Sequence, residues 1–187
     1  MMDKEHLWTV SDVLAATGGH LVSGDPQTPT VGVSTDTRSI HEGELFIAIS
    51  GERYDGHQFV KTAYEKGAMG VIVSEAYTAE AASGPEKDKC WVAVSDTLKA
   101  LGDLAAFRRR QSQVSVVAIT GTNGKTTTKE MTASVLGEAF SVLKTSGNFN
   151  NLIGLPLTLF GLREDHDWAV LELAMNRPGE IARLAEI

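Results

Sequence analysis

The sequence holds one cysteine, Cys90, so no disulfide can form within the chain. Its apolar flank, Cys90-Trp91-Val92-Ala93-Val94, reads as a buried strand thiol, which suits a reducing cytoplasm. Long hydrophobic runs are missing too: nothing approaches the ~18 residues needed to cross a bilayer. Residues 1–8 carry charges where a secretion signal would need an apolar centre. Basic residues are in deficit, with 17 Lys and Arg against 24 Asp and Glu, for a net charge of -7. Broad electrostatic binding to nucleic acid or an anionic membrane is thereby disfavoured, and any phosphate must be held by a local site. Internal repeats and low-complexity tracts are absent as well.

What is present is a globular composition, 42% hydrophobic and 22% charged over 187 residues, enough for one sizeable domain or two small ones. Ser11 is positioned to cap a short helix carrying Val13, Leu14 and Ala15, which Gly18-Gly19 would stop. Strands are expected over 31–33, 45–49 and 70–73, with a helix over 57–66. The polar stretch 80–89, with Gly84-Pro85, reads as a surface loop. Asp96 should cap a helix with an apolar stripe of Leu98, Leu101, Leu104, Ala105 and Phe107, leaving Arg108-Arg109-Arg110 as a solvated C-terminal end. A domain boundary is placed near Ser112, which gives domains over 1–112 and 113–187.

Beyond that boundary, the β-branched run 114–119 predicts a buried parallel strand. It leads into Thr120-Gly121-Thr122-Asn123-Gly124-Lys125-Thr126-Thr127 and then a helix through Met131, Val135 and Leu136. Strand, glycine turn and helix form the setting of a phosphate loop, in which backbone N–H groups and the helix dipole attract phosphate oxygens. Lys125 would reach the β and γ phosphates, and the Thr126 hydroxyl would ligate Mg2+. Ile119 stands where the general pattern has its first glycine; the alternative is a plain turn bearing an exposed lysine. Later strands are expected over 140–143 and 168–173, with a helix between them and another after Pro178. The 168–173 strand brings in Glu172, a candidate second metal contact or simply a strand-end glutamate.

Several segments together resemble the Mur ligases: Ser34-Thr35-Asp36-Thr37-Arg38, Gly51-Glu52-Arg53-Tyr54-Asp55-Gly56-His57, 121–130, Gly147-Asn148-Phe149-Asn150-Asn151 with Ile153-Gly154, and 172–181. The resemblance is strongest to the branch that adds D-alanyl-D-alanine to UDP-N-acetylmuramoyl-tripeptide. It implies an α/β fold, with a small N-terminal domain for the UDP-linked precursor followed by the start of a parallel-sheet ATPase domain. It also implies ATP and Mg2+ as cofactors, and amide synthesis through an acyl phosphate. By the same resemblance Thr35, Thr37, Arg38, Gly51, Arg53 and Tyr54 serve the precursor. Gly121, Thr122, Asn123, Gly124, Lys125, Thr126 and Thr127, with Asn148 and Asn151, serve ATP. Lys125 and Glu172 are the catalytic candidates, and Thr126 and Glu172 the metal ligands.

Local structure offers rival explanations. Asp36 and Arg38 could pair within a turn, His57 could merely open its helix, and Gly-Asn pairs are common turn formers. Arg177 and Ala174 depart from the family pattern, which usually has histidine and glycine there. Guanidinium cannot ligate a cation, so a second metal is in question. Because the family continues past the helix that follows residue 172, this chain by itself is expected not to ligate. The competing identities are a ligase of the MurE type, a folylpolyglutamate synthetase, or a non-catalytic nucleotide-binding module.

Overall fold

The computed structural model describes residues 8–51, 54–80 and 89–187. The chain divides into two compact units, 1–101 and 102–187. The division falls inside one helix, upstream of the residue 112 expected from sequence, so the functional boundary at that point stays a proposal.

The first unit begins with β1 (Trp8–Thr9), α1 (Val10–Thr17), β2 (His20–Ser23), β3 (Pro29–Thr30), β4 (Gly32–Ser34) and β5 (Glu44–Ile47). A 3-10 turn (Gly56–Phe59) leads into α2 (Val60–Glu65), then β6 (Gly70–Ser74), α3 (Glu75–Glu80), β7 (Cys90–Val94) and the start of α4 (Thr97–Gln111). The main sheet has the order β2-β7-β6-β5-β4, parallel from β4 to β7, with β2 antiparallel at one edge. Strand β1 pairs with β3 in a separate ribbon. One core cluster joins Phe46, Val71, Val73 and Trp91 of the sheet to Val60, Ala63 and Tyr64 of α2. Leu45, Ile47, Ile72 and Val92 alternate with these strand positions and are equally buried, as expected for parallel strands covered on both faces.

Two expectations for this unit need correction. Thr9, not Ser11, caps α1: its hydroxyl accepts the Asp12 N–H while the Asp12 carboxylate accepts the Thr9 N–H, a reciprocal capping box. Ser11 lies inside the helix on an exposed position, whereas Gly18 ends it in the left-handed conformation as expected. The 57–66 helix is two pieces, since Asp55 caps a 3-10 turn at Gly56 before α2 begins. Strands β1, β2 and β3 and helix α3 were not foreseen. Glu80 is the last residue of α3, and 81–88 of the expected 80–89 loop lie outside the described residues.

The second unit contains the end of α4, β8 (Ser115–Ile119), α5 (Lys125–Gly137), β9 (Val142–Lys144), α6 (Gly154–Leu159), β10 (Trp168–Glu172) and α7 (Glu180–Glu186). Its three strands are all parallel, in the order β8-β10-β9. Ala169, Leu171 and Leu173 face a cluster built from Ala105 and Ala106 of α4, Leu155 and Leu159 of α6, and Leu184 of α7. Two arginines of the expected solvated end belong to this packing: Arg108 donates to the Leu162 carbonyl and Arg109 to that of Ile187, each at 2.6 Å. Only Arg110 is exposed. Strand β8 is parallel as expected but not buried, because among the described residues it pairs only with β10. Met131 and Val135 of α5 are exposed too, beside an open apolar groove of about 590 Å³ reaching Val117 and Trp168.

Candidate phosphate and precursor sites

Residues 120–124 join the end of β8 to α5, and Gly124 opens the helix with φ 77°, a left-handed backbone that favours glycine. The first backbone bond of the helix runs from the Thr128 N–H to the Gly124 carbonyl, so the N–H groups of Lys125, Thr126 and Thr127 precede the ladder and point out of its start. Gly121, Thr122 and Asn123 form the exposed rim. Lys125 folds back over the loop, its ammonium 2.8 Å from the Gly121 carbonyl. Backbone N–H groups and an ammonium, both of the kind that attract phosphate oxygens, are therefore gathered in one place.

The two-residue period of β10 puts Glu172 on the α5 side of the sheet, opposite the packed face of Leu171 and Leu173. The residue is only 3% exposed. The Thr126 hydroxyl donates to one of its carboxylate oxygens at 2.9 Å, and the Asn150 amide donates to the other at 2.8 Å. A hydroxyl and a carboxylate are hard oxygen ligands, and cis ligands around Mg2+ with ~2.1 Å bonds stand about 3 Å apart. The observed spacing and chemistry fit that ion.

The loop after β9 carries Asn148 and Asn151, the two asparagines that the resemblance assigns to ATP. The Asn151 side-chain oxygen Oδ1 accepts the N–H groups of Ile153 and Gly154 at the entry to α6. Asn148 is exposed at a turn, its backbone carbonyl accepting the Asn150 N–H. The amide that reaches the acidic centre is that of Asn150, a residue within the quoted motif but not singled out. Gly154 permits the loop to lie on the helix start, since a Cβ there would come within 2.4 Å of the Phe149 Cα. Arg177 is exposed, and its N–H and that of Asn176 both donate to the Glu180 carboxylate, which lowers the Glu180 pKa.

In the first unit, a cavity of about 560 Å³ is lined by Thr35, Thr37, Arg38 and Tyr54 against Phe46 and Phe59. Asp36 holds the Arg38 guanidinium through Nε and Nη2, so the local pair expected as a rival reading is formed. That hydrogen bond holds the Asp36 carboxyl down at about 2. Arg38 nevertheless remains highly exposed at the cavity, as does Tyr54. Gly51 donates its N–H to the Tyr54 carbonyl, and Arg53 lies outside the described residues. His57 is structural: its Nε2 accepts the Ser74 N–H, so the proton sits on Nδ1 and is donated to Asp55. Burial raises the Asp55 pKa, but hydrogen bonds from His57 and Ser50 outweigh it and the net shift is downward.

A family profile described as "Mur ligase family, catalytic domain" matches residues 29–109, and "Mur ligase middle domain" matches residues 119–187. The chain is 41% identical over 180 residues to the UDP-N-acetylmuramoyl-tripeptide--D-alanyl-D-alanine ligase of Bacillus subtilis, covering 96% of this chain and 38% of that protein. The Escherichia coli enzyme of the same name is 45% identical over 150 residues, covering 80% and 31%. A crystal structure of MurF from Acinetobacter baumannii superposes with a TM-score of 0.84 at 39% identity, covering 95% of this chain and 38% of that one. MurF from Thermotoga maritima, solved in complex with ADP, gives a TM-score of 0.72 at 34% identity, covering 82% and 34%. The chain thus spans between about a third and two fifths of these relatives' length.

Proposed function

The chain belongs to the Mur ligase family, whose members are ATP-dependent ligases, and from that premise we propose that it serves the addition of D-alanyl-D-alanine to UDP-N-acetylmuramoyl-tripeptide. The first unit grips the UDP end of the precursor, and the second binds ATP. The observation that carries this reading is the meeting of Thr126 and Glu172 at the mouth of the 120–124 loop, at a sequence separation of 46.

In the proposed reaction the tripeptide carboxylate attacks the γ-phosphorus of ATP, forming an acyl phosphate and releasing ADP. The amine of D-alanyl-D-alanine then attacks the acyl carbon, and phosphate leaves as the amide forms. Most of the catalysis in such a transfer is positioning and neutralisation of charge. Lys125 exchanges the Gly121 carbonyl for phosphate oxygens, and the N–H groups at the start of α5 hold the neighbouring ones. Thr126 and Glu172 hold Mg2+, which when bound neutralises phosphate charge. Asn150 orients the Glu172 carboxylate. In the first unit, the Arg38 N–H groups that Asp36 leaves uncommitted suit a diphosphate and the exposed Tyr54 ring suits a base.

The two assignments separate by titration calorimetry. Arg38→Ala should weaken binding of the UDP-linked precursor and leave ATP binding unchanged, while Lys125→Ala does the reverse. Equal loss of both ligands in either variant would contradict the division of labour.

A further inference from the structure

Lys129 lies one turn beyond Lys125 and is only 1% exposed, on a helix whose neighbouring Met131 is 65% exposed. A buried ammonium is unfavourable unless its bonds are made, and an apolar side chain of similar volume would fill the same space. Its bonds lead to the acidic centre. Nζ donates to the Thr145 carbonyl at 2.8 Å and pairs with Glu130 at 2.9 Å. Glu130 is itself held by Lys144, and hydrogen bonds from Lys144 and then Lys129 keep its carboxyl down at about 2.

Thr145 is fully buried just past the end of β9. Its N–H donates to the Val170 carbonyl at 3.1 Å, which continues the ladder with β10. The next acceptor in this parallel pattern is the Thr145 carbonyl, which takes the Lys129 ammonium instead, and the Thr145 hydroxyl accepts the Glu172 N–H at 3.0 Å in its place. From there the loop leads to Asn150 and the Glu172 carboxylate. Both carboxylate oxygens and the N–H of Glu172 are thus fixed, the N–H by a residue that Lys129 anchors.

We propose that Lys129 and Thr145 are positioning residues that set the orientation of Glu172 toward its metal. The proposal rests on the reading of Glu172 as a magnesium ligand, and acts through that residue rather than by contact with nucleotide. Groups that orient a ligand typically contribute 10- to 100-fold in metal affinity.

The test is the Mg2+ concentration for half-maximal enhancement of ATP binding, measured on the 187-residue chain below its melting temperature, with ATP binding in EDTA alongside. Thr145→Val should raise that concentration about tenfold. Thr145→Ser, which keeps the hydroxyl, should stay at the wild-type value. Lys129→Met should follow Thr145→Val, and it carries the test alone if Thr145→Val does not fold. ATP binding in EDTA should be unchanged in all of them. A loss equal with and without Mg2+ would mean a merely structural role and overturn the proposal. So would a normal Mg2+ response in the folded variants while Glu172→Gln loses it. If Glu172→Gln itself responds normally to Mg2+, the reading of Glu172 fails first and the proposal with it.

Discussion

Strands β7 and β8 are both short apolar runs in parallel sheets, yet every residue of Cys90–Val94 is buried while none of Ser115–Ile119 is. The difference lies in their neighbours. Strand β7 pairs with β2 and β6, whereas β8 pairs only with β10 among the described residues, and the apolar face of α5 beside it is open. Apolar sequence reports what a strand is suited to contact; burial depends on which partners stand there. The two units also divide by chemistry: the first offers a cavity beside a guanidinium, the second a loop of backbone donors beside a carboxylate.

The largest contrast should appear in the cores. Phe46→Ala, in the doubly covered sheet, should destabilise the first unit by about 3–5 kcal/mol in a denaturant titration. A loss below about 1 kcal/mol would mean that the sheet is not packed as described. Next comes Lys125→Ala in the second unit, which should weaken ATP binding roughly tenfold to hundredfold, the equivalent of one hydrogen bond between charged groups at about 1.5–3 kcal/mol. Its melting temperature should not change, because among the described residues the lysine bonds only to its own exposed loop. A lowered melting temperature would assign it to folding instead.

Thr9→Ala should destabilise the first unit by about 1 kcal/mol through loss of the capping box, while Ser11→Ala stays within about 0.5 kcal/mol. The reverse ranking would restore Ser11 as the cap.

The Asp36–Arg38 pair gives a smaller, pH-dependent effect. Folding lowers the Asp36 carboxyl from its ordinary 3.8 to about 2, so its contribution is present above about pH 4 and is lost as pH falls toward 2. Both groups are substantially exposed, so Asp36→Asn should cost at most about 1 kcal/mol at pH 7, and the gap from wild type should close near pH 2. A gap that widens on acidification would contradict this. Smallest of all, Met131→Ala on the open face of α5 should change stability by no more than about 0.5 kcal/mol.

Much of this architecture is legible in sequence where local chemistry suffices. The β8-loop-α5 unit, the buried Cys90 strand, the Asp96 cap and the Glu172 strand all announce themselves by short-range pattern. The choice of Thr9 over Ser11 was harder, because both hydroxyls precede the same apolar run and only Thr9 has Asp12 at the reciprocal position. The two-residue strands β1 and β3 are too short to show a period. Around Glu172 the signal runs out for another reason. Asn150 and Thr145 reach it across 22 and 27 residues, and Lys129 reaches Thr145 across 16, so their roles depend on strand order rather than on spacing. The order β8-β10-β9, which seats the last strand between the first two, is what brings them together.

We propose that the loop at 120–124 and Glu172 form one magnesium-dependent nucleotide site. It is tested most directly by titrating ATP into the wild-type chain and Glu172→Gln, each with Mg2+ and with EDTA. Mg2+ should tighten ATP binding in the wild type, this enhancement should be lost in Glu172→Gln, and the two proteins should bind equally in EDTA. An identical Mg2+ enhancement in both would contradict it.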